Sequence, residues 1–330
     1  MNKPQSLRIV YMGTPDFAVP SLRALIQSRH DVVGVVTNPD RRSGRGKKIT
    51  PTPVKSLALE HEIEVYQPKK LRKNDEALAK LTAWAPDMIV VAAYGQILPV
   101  SILELPEHGC LNVHASLLPA YRGAAPINWC IVRGEEVSGV TIMEMEAGLD
   151  TGPMILKGET PIPSEMTAQQ LHDALAEQGA ELLPRAIDGL LDGSLTPEPQ
   201  DHDAATWAPM ISKEDGLIDW NASAKQVSDL IRGFNPWPGA YTFHHLPDGA
   251  IEGPIKMHLA APCELSGDFE PGQVVEADAP SERLVIACGD GRGISCVSIQ
   301  APGRRAMGVR DFLNGYELGS SDRFGPPASS

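Results

Sequence analysis

Residues 87–95, DMIVVAAYG, form the most strongly apolar run in the chain. The run is far shorter than the roughly 20 residues a bilayer span needs, and it suits a central strand covered on both faces. Such a strand needs helices above and below the sheet, and the flanking sequence supplies them. LRIVYMG (7–13), DVVGVVTN (31–38) and the short IEVYQP read as further strands, with DFAVPSLRALIQSRH, PVKSLALEHE and EALAKLTAWAP as the intervening helices. This alternation is that of βαβ units and predicts an α/β fold with a doubly wound, mostly parallel sheet. GCLNVHA (109–115) and GVTIMEME (139–146) add two strands, separated by helical APINWCIVRG.

A chain of 330 residues is long for one core and predicts two domains. Thr167 and Gln170 resemble a capping box, and Leu171, Leu175, Leu182, Leu183, Ile187 and Leu190 follow at helical spacing, with Gly179 and Pro184 as sites of a bend or break. GSLTPEPQDHDAATWAPMIS (193–212) has no clear periodicity and reads as a connection. The expected limits are therefore an α/β domain over 1–192, a linker over 193–211 and a second domain over 212–330. The last combines one helix, SAKQVSDLIRGF, with short strands such as AYTFHH, IKMHLA, GQVVEA, RLVIACG and ISCVSIQ, the pattern of a small OB-like β-barrel.

Several function classes drop out. No apolar run is long enough to span a membrane, and the first residues pass straight into a strand without a secretion signal, which predicts a cytoplasmic protein. Cys110, Cys130, Cys263, Cys288 and Cys296 form no C-x-x-C pair, and adjacent His244 and His245 point to opposite faces of a strand, so metal-independent chemistry is expected. A formal net charge of -13 repels nucleic acid at long range, so such a partner has to be met by a local basic patch. RRSGRGKK (41–48) is one: Arg41, Arg42, Arg45, Lys47 and Lys48 with no acidic residue among them.

In a doubly wound sheet the binding crevice lies beyond the carboxyl ends of the strands. GTPDF, after the first strand, has the position of a phosphate loop but neither glycine signature, so Gly13 and Asp16 read first as turn and helix-start residues. Asn112 and His114 alternate with Leu111 and Val113, project to one face and lie at a strand's carboxyl end. The alternative is a buried pair satisfying each other, but the address favours two donors aimed into the crevice. Asp150 either reaches the same crevice, where a carboxylate orients an imidazole and favours its protonated form, or organises a turn with Thr151 and Gly152. Glu144 and Glu146 read as surface positions. With no nucleophile elbow around Ser116 and no metal signature, Asn, His and Asp together suit attack of an external amine on a carbonyl.

NVHASLLPAYRGAAP closely resembles the signature of the folate-dependent formyltransferases. The resemblance runs through nearly the whole chain, in RIVYMGTPDFAVPSL, NPDRRSGRGKK, PTPVK, VVAAYGQILP, GVTIMEMEAGLDTG and FNPWPGAY. It implies a formyltransferase-like Rossmann fold and transfer of the formyl group of 10-formyltetrahydrofolate to an amine, without a covalent enzyme intermediate. Asn112, His114 and Asp150 match the family's catalytic residues. Ser116, Leu117, Leu118 and Pro119 match its folate loop, and Tyr94, Gly95, Gln96, Ile97 and Leu98 match the lining of its pterin pocket, where core packing is the alternative for the four aliphatic side chains among these two sets. The SGRGKK insertion matches members that act on initiator methionyl-tRNA, with Arg45 entering the acceptor-stem region; Arg304 and Arg305, with Arg310 nearby, form a second, weaker patch. From Met210 onward ten Lys and Arg stand against sixteen Asp and Glu, so the second domain is not a strongly basic module. A relative acting on an amino sugar-nucleotide is the nearest rival, followed by a non-catalytic tRNA-binding protein and a formate-releasing hydrolase. A monomer is expected.

Overall fold

The computed structural model describes residues 6–43, 48–246, 248–320 and 322–327. The chain divides into two compact units: the described residues of Met1–Pro126, Val137–Pro161 and His172–Ala208, and those of Ile127–Glu136, Ile162–Leu171 and Pro209–Ser330.

In the first unit, β1 (Arg8–Gly13), β2 (Asp31–Val36), the hairpin strands β3 (Arg41–Ser43) and β4 (Lys48–Thr50), and β5 (Val65–Tyr66) alternate with α1 (Ala18–Ile26) and α2 (Pro53–Glu60). Then come α3 (Asp75–Trp84), β6 (Met88–Ala92), α4 (Val100–Leu103), β7 (Cys110–His114) and the two-residue β8 (Arg122–Gly123). Helix α5 (Pro126–Val132), whose residues from Ile127 on are counted in the second unit, leads to β9 (Val137–Glu144) and β10 (Met154–Pro161), after which α6 (Ala168–Asp192), in the first unit from His172 on, and β11 (Trp207–Ala208) follow. Seven strands form one sheet in the order β10-β9-β7-β6-β1-β2-β5, with β6 in the middle and fully buried. The five strands from β7 to β5 pair in parallel. β9 and β10 are antiparallel additions at one edge. Between β7 and β9 the chain passes through β8 and the seven-residue α5, and β9 then returns antiparallel beside β7, with His114 opposite Thr141. β10, with its polar residues Lys157, Glu159 and Thr160, carries too weak an apolar pattern to be read as a strand.

The chain grows outward in both directions from β1, first to β2 and β5 and then to β6 and β7, so the reversal of strand order falls between β1 and β6. That point opens the crevice at the carboxyl ends of β1, β6 and β7. Gly13 has a reason other than a tight turn: a Cβ there would lie 2.7 Å from the Ala18 Cβ and 3.0 Å from the Ala92 carbonyl oxygen, so α1 packs against it. Helix α6 is one continuous 25-residue helix with Pro184 inside it. Its Gly179 packs on Val113, the residue between Asn112 and His114; a Cβ would meet the Val113 Cγ1 at 2.7 Å. Gly179→Val is therefore expected to destabilise by about 3 kcal/mol through overpacking against a stiff β-branched neighbour, although propensity alone slightly favours Val in a helix. Urea denaturation reads this directly, and an unchanged midpoint would remove Gly179 as the contact that seats α6 on β7.

Residues 193–208 belong to the first unit although they show no periodicity. Gln200 is buried, and β11 pairs in parallel with β8.

In the second unit, α7 (Ala224–Gly233) is closed by a Ser223–Gln226 capping box and buries Ala224, Val227 and Ile231 in the same core as Ile255, Met257 and Ile299. Around that core run β12 (Ala240–His245), β13 (Ile251–Cys263), β14 (Val274–Asp278), β15 (Arg283–Ala287), β16 (Gly293–Gln300), β17 (Met307–Gly308), α8 (Val309–Gly315) and β18 (Arg323–Gly325). The strands are antiparallel in the order β14-β15-β16-β13-β12-β18, with β17 on β16, and form a half-barrel. Its two ends meet where the Phe324 N–H donates to the Gly272 carbonyl at 2.7 Å and the Val274 N–H to that of Asp322 at 2.9 Å.

Candidate active site

Strand alternation sends Asn112 and His114 to one face of β7, and the loops on either side hold that face in shape. His114 is 6 % exposed; its Nε2 lies 3.1 Å from the Tyr121 carbonyl oxygen and donates to it. That leaves Nδ1 facing the Asp150 Oδ1 at 3.8 Å, an ion-pair distance rather than a hydrogen bond. The other oxygen, Asp150 Oδ2, accepts from the Gly123 N–H at 2.9 Å. Asp150 arrives from the β9–β10 connection and sits at φ +53, a left-handed conformation that Asp tolerates better than most residues. The half-buried Asn112 amide carries no hydrogen bond within the described residues. Asn112, His114 Nδ1 and Asp150 Oδ1 are thus uncommitted polar groups in one neighbourhood.

The segment after β7 is pinned from below by Thr141 of β9, which is fully buried. Its Oγ1 accepts from the Leu118 N–H at 3.1 Å and donates to the Ser116 carbonyl at 2.7 Å. The Ser116 hydroxyl donates to the Ala120 carbonyl at 2.6 Å, so it is tied to backbone rather than poised as a nucleophile. Leu118 packs with Met143 and Met154, and the Leu118-Pro119 peptide bond is cis. Leu117 and Pro119 stay half-buried.

The loop after β6 lies beside the end of β7, since Val91 pairs with Asn112. Tyr94 and Leu98 turn into the core, where the Tyr94 hydroxyl is buried without a partner and burial pushes its pKa up. Gly95 is exposed at φ +80, and Ile97 is 79 % exposed. Gln96 is held in place: its Nε2 donates to Asn38 Oδ1 at 2.8 Å and its Oε1 accepts from the Leu71 N–H at 3.0 Å. Asn38 in turn donates to the Tyr94 carbonyl at 2.6 Å and to Thr14 Oγ1 at 3.0 Å, joining the loops after β1, β2 and β6. Of the aliphatic residues in the two loops, Leu98 and Leu118 serve the core, whereas Ile97 and Leu117 retain accessible surface.

The basic stretch begins just beyond. Asp40 accepts from Lys55 at 2.6 Å and from Gln67 at 2.7 Å, and these two bonds, that of Lys55 foremost, hold its carboxyl below its ordinary pKa. They fix the root of the β3–β4 hairpin, in which Arg41 pairs with Thr50, Arg42 with Ile49 and Ser43 with Lys48. Arg41 is exposed. Arg45 and Lys47 lie outside the described residues. In the second unit Arg304 and Arg305 are exposed after β16, whereas Arg310 is paired with Glu282 at 2.8 Å.

Two residues, Glu144 and Gln200, depart from their sequence reading. Glu144 is half-buried, and burial, then the neighbouring Glu146, pushes its pKa up. Asp16 lies, as read, in the turn that opens α1, but through its backbone: its carbonyl accepts from the Val19 N–H, and the side chain supplies no cap. Gln200, in the stretch read as a connection, is 6 % exposed beneath the Asp150 loop. The five cysteines are free, and burial pushes the Cys110 thiol up to about 12, so it is unsuited to nucleophilic work. No group of side chains able to hold a metal occurs among the described residues, and none of their helices is long and apolar enough to cross a membrane.

A crevice at a switch point, an amide and an imidazole beside a carboxylate, and a Ser116 hydroxyl committed to backbone define an α/β protein built for transfer to an external nucleophile. Residues 7–187 match the formyl transferase family model, and residues 210–317 match the formyl transferase C-terminal domain. A protein of Geobacter sulfurreducens described as methionyl-tRNA formyltransferase is 47 % identical over 98 % of this chain and 98 % of its own length. One of Caldanaerobacter subterraneus with the same description is 48 % identical over 94 % of this chain and 98 % of its own. The chain belongs to the methionyl-tRNA formyltransferase family. Among solved structures, the sugar 3N-formyl transferase WlaRD superposes with a TM-score of 0.62 at 19 % identity, covering 91 % of this chain and 100 % of that one. An N-formyltransferase from Helicobacter canadensis gives 0.60 at 18 % identity, covering 88 % and 98 %. At these identities the likeness is one of fold.

Proposed function

We propose that the crevice at Asn112, His114 and Asp150 carries out the family's reaction, transfer of the formyl group of 10-formyltetrahydrofolate to the methionine amino group of initiator methionyl-tRNA. The observation that carries this assignment is the set of three uncommitted polar groups at the end of β7. The folate, when bound, supplies an electrophilic formyl carbon. Asn112 and, from Nδ1 when that nitrogen carries a proton, His114 donate to the formyl oxygen as negative charge grows on it, in a site that holds both side chains in position beforehand. Asp150 keeps His114 oriented, takes the proton that the attacking amine gives up and passes it to the departing folate nitrogen as the bond between that nitrogen and the formyl carbon breaks. The loops fit a flat heterocycle with polar edges: exposed Gly95 presents open backbone, while Ile97 and Leu117 offer apolar surface for its faces. Ser116, Leu118, Pro119, Tyr94, Gln96 and Leu98 set the course of those loops.

In this reading residues 1–192 hold the folate chemistry, 193–211 lead onward, and 212–330 contribute to tRNA binding as part of a cytoplasmic monomer. Arg41, Arg42, Arg45, Lys47 and Lys48 meet tRNA phosphates, with Arg304 and Arg305 as a second contact. Arg45→Ala is expected to raise the KM for methionyl-tRNA about tenfold and to lower the slope of log affinity against log salt by about one. Unchanged tRNA kinetics at physiological salt would remove the hairpin from the mechanism. The function itself is tested by giving pure protein 10-formyltetrahydrofolate with initiator methionyl-tRNA, elongator methionyl-tRNA or an amino sugar-nucleotide. Preference for the initiator is expected, and preference for the sugar would overturn the assignment.

A further inference from the structure

The Gln200 side chain uses its whole hydrogen-bonding capacity on the loops that carry the reacting groups. Its Oε1 accepts twice from Arg122, from Nε at 3.0 Å and from Nη2 at 2.6 Å. Because a guanidinium only donates, this contact fixes which end of the amide faces Arg122. The two hydrogens on Nε2 then point to two carbonyls, those of Asp150 at 2.9 Å and Gly152 at 2.7 Å. These carbonyls bracket Thr151, so one side chain sets two peptide planes of the loop in which Asp150 sits at φ +53.

Arg122 is a fixed anchor for that amide. It is 3 % exposed, its N–H donates to the Thr206 carbonyl at 2.9 Å, and its Nη2 donates to His202 Nδ1 at 3.0 Å. β8, to which it belongs, pairs with β11. The adjacent Gly123 N–H holds Asp150 Oδ2. A closed circuit results: Asp150 carboxylate, Gly123, Arg122, Gln200 and back to the Asp150 carbonyl. Movement of any member displaces the carboxylate relative to His114.

We infer that Gln200 is a positioning residue for Asp150, acting from the Arg122 anchor to fix the carboxylate beside His114; this rests on the assignment of Asp150 to the reacting centre. Gln200 touches no reacting atom. A neutral amide suits the task because it accepts on one side and donates on the other. Neither a carboxylate, which lacks the hydrogens, nor a hydrophobe of equal volume can bridge a cation to two carbonyls.

The test uses the full-length protein with Gln200→Met, which keeps the side-chain volume and removes the bonds. A 10- to 100-fold loss of kcat is expected, with KM for both substrates within about threefold of wild type and an unchanged circular dichroism spectrum. The same substitution in an Asp150→Asn background, followed by single turnover with excess enzyme, is expected to cost less than threefold more, since a residue that acts through the carboxylate has nothing further to remove. An unchanged kcat, or an equal loss in both backgrounds, overturns the inference. If Gln200→Met does not fold, the same cycle is run with Arg122→Lys, which keeps the charge and loses the fork, and the same two outcomes decide. Wild-type protein without formyl transfer would instead sink the functional assignment.

Discussion

His114→Ala is expected to lower single-turnover formyl transfer to methionyl-tRNA by about 10³-fold, the scale reported for loss of one preorganised oxyanion donor. The imidazole is 6 % exposed and sits between the Tyr121 carbonyl and the Asp150 carboxylate, so no neighbouring group or bulk water takes its place. The substitution also removes the His114 hydrogen bond to the Tyr121 carbonyl, with a stability cost of about 0.5–1.5 kcal/mol for one buried hydrogen bond. That is small enough for the variant to fold, and a urea titration separates the two effects. Substrate binding should change little, because the surfaces proposed for the folate are those of Gly95, Ile97 and Leu117. Near-normal turnover of the folded variant would end the assignment of His114 to the reacting centre.

Asp150→Asn is expected to cost about 10³–10⁴-fold in turnover while leaving the fold intact, the pattern seen when a carboxylate that orients a catalytic imidazole becomes an amide. The amide oxygen still accepts from the Gly123 N–H, and Gln200 still grips the main chain on both sides of Thr151, so the loop keeps its course. What disappears is the negative charge 3.8 Å from His114 Nδ1 and the acceptor for the amine's proton. Unfolding free energy should stay within about 1 kcal/mol of wild type, as for a substitution that keeps its hydrogen bond. A loss in turnover of less than tenfold would return Asp150 to the other role its position allows, that of a turn residue beside Thr151 and Gly152.

The parts of the site legible in the sequence are those set by local rules. Asn112 and His114 share a face because strand side chains alternate, and the apolar run 88–92 lies at the centre of the sheet because it has no polar face to show to water. The Thr167–Gln170 box likewise marks the start of α6 within four residues: the Thr167 N–H donates to Gln170 Oε1 at 2.9 Å and the Gln170 N–H to Thr167 Oγ1 at 3.4 Å. Glu144 reads as a surface position because Glu144 and Glu146 alternate with Met143 and Met145, whereas its N–H donates to the Pro153 carbonyl at 2.9 Å across the β9–β10 connection and its side chain is half-buried. Thr141 carries a faint signal, one hydroxyl inside GVTIME, but its partners Leu118 and Ser116 are more than 20 residues away. Gln200 carries none: it stands in an aperiodic Pro- and Asp-containing stretch, and its partners lie 78 residues back at Arg122 and 50 back at Asp150.

The sequence by itself determined the core strands and the longer helices of the α/β half, though not β10 or the short strands, together with the side of β7 that bears the polar pair and the family through its motifs, since each depends on residues close together in the chain. Only the tertiary structure decided that β9 runs antiparallel, that Asp150 returns to His114, and that Arg122 and Gln200 hold it there. These outcomes depend on how connections close and on which buried donors find acceptors across long separations. Local periodicity places no constraint on either, because the free energy that selects them is gained only once the distant segments have met.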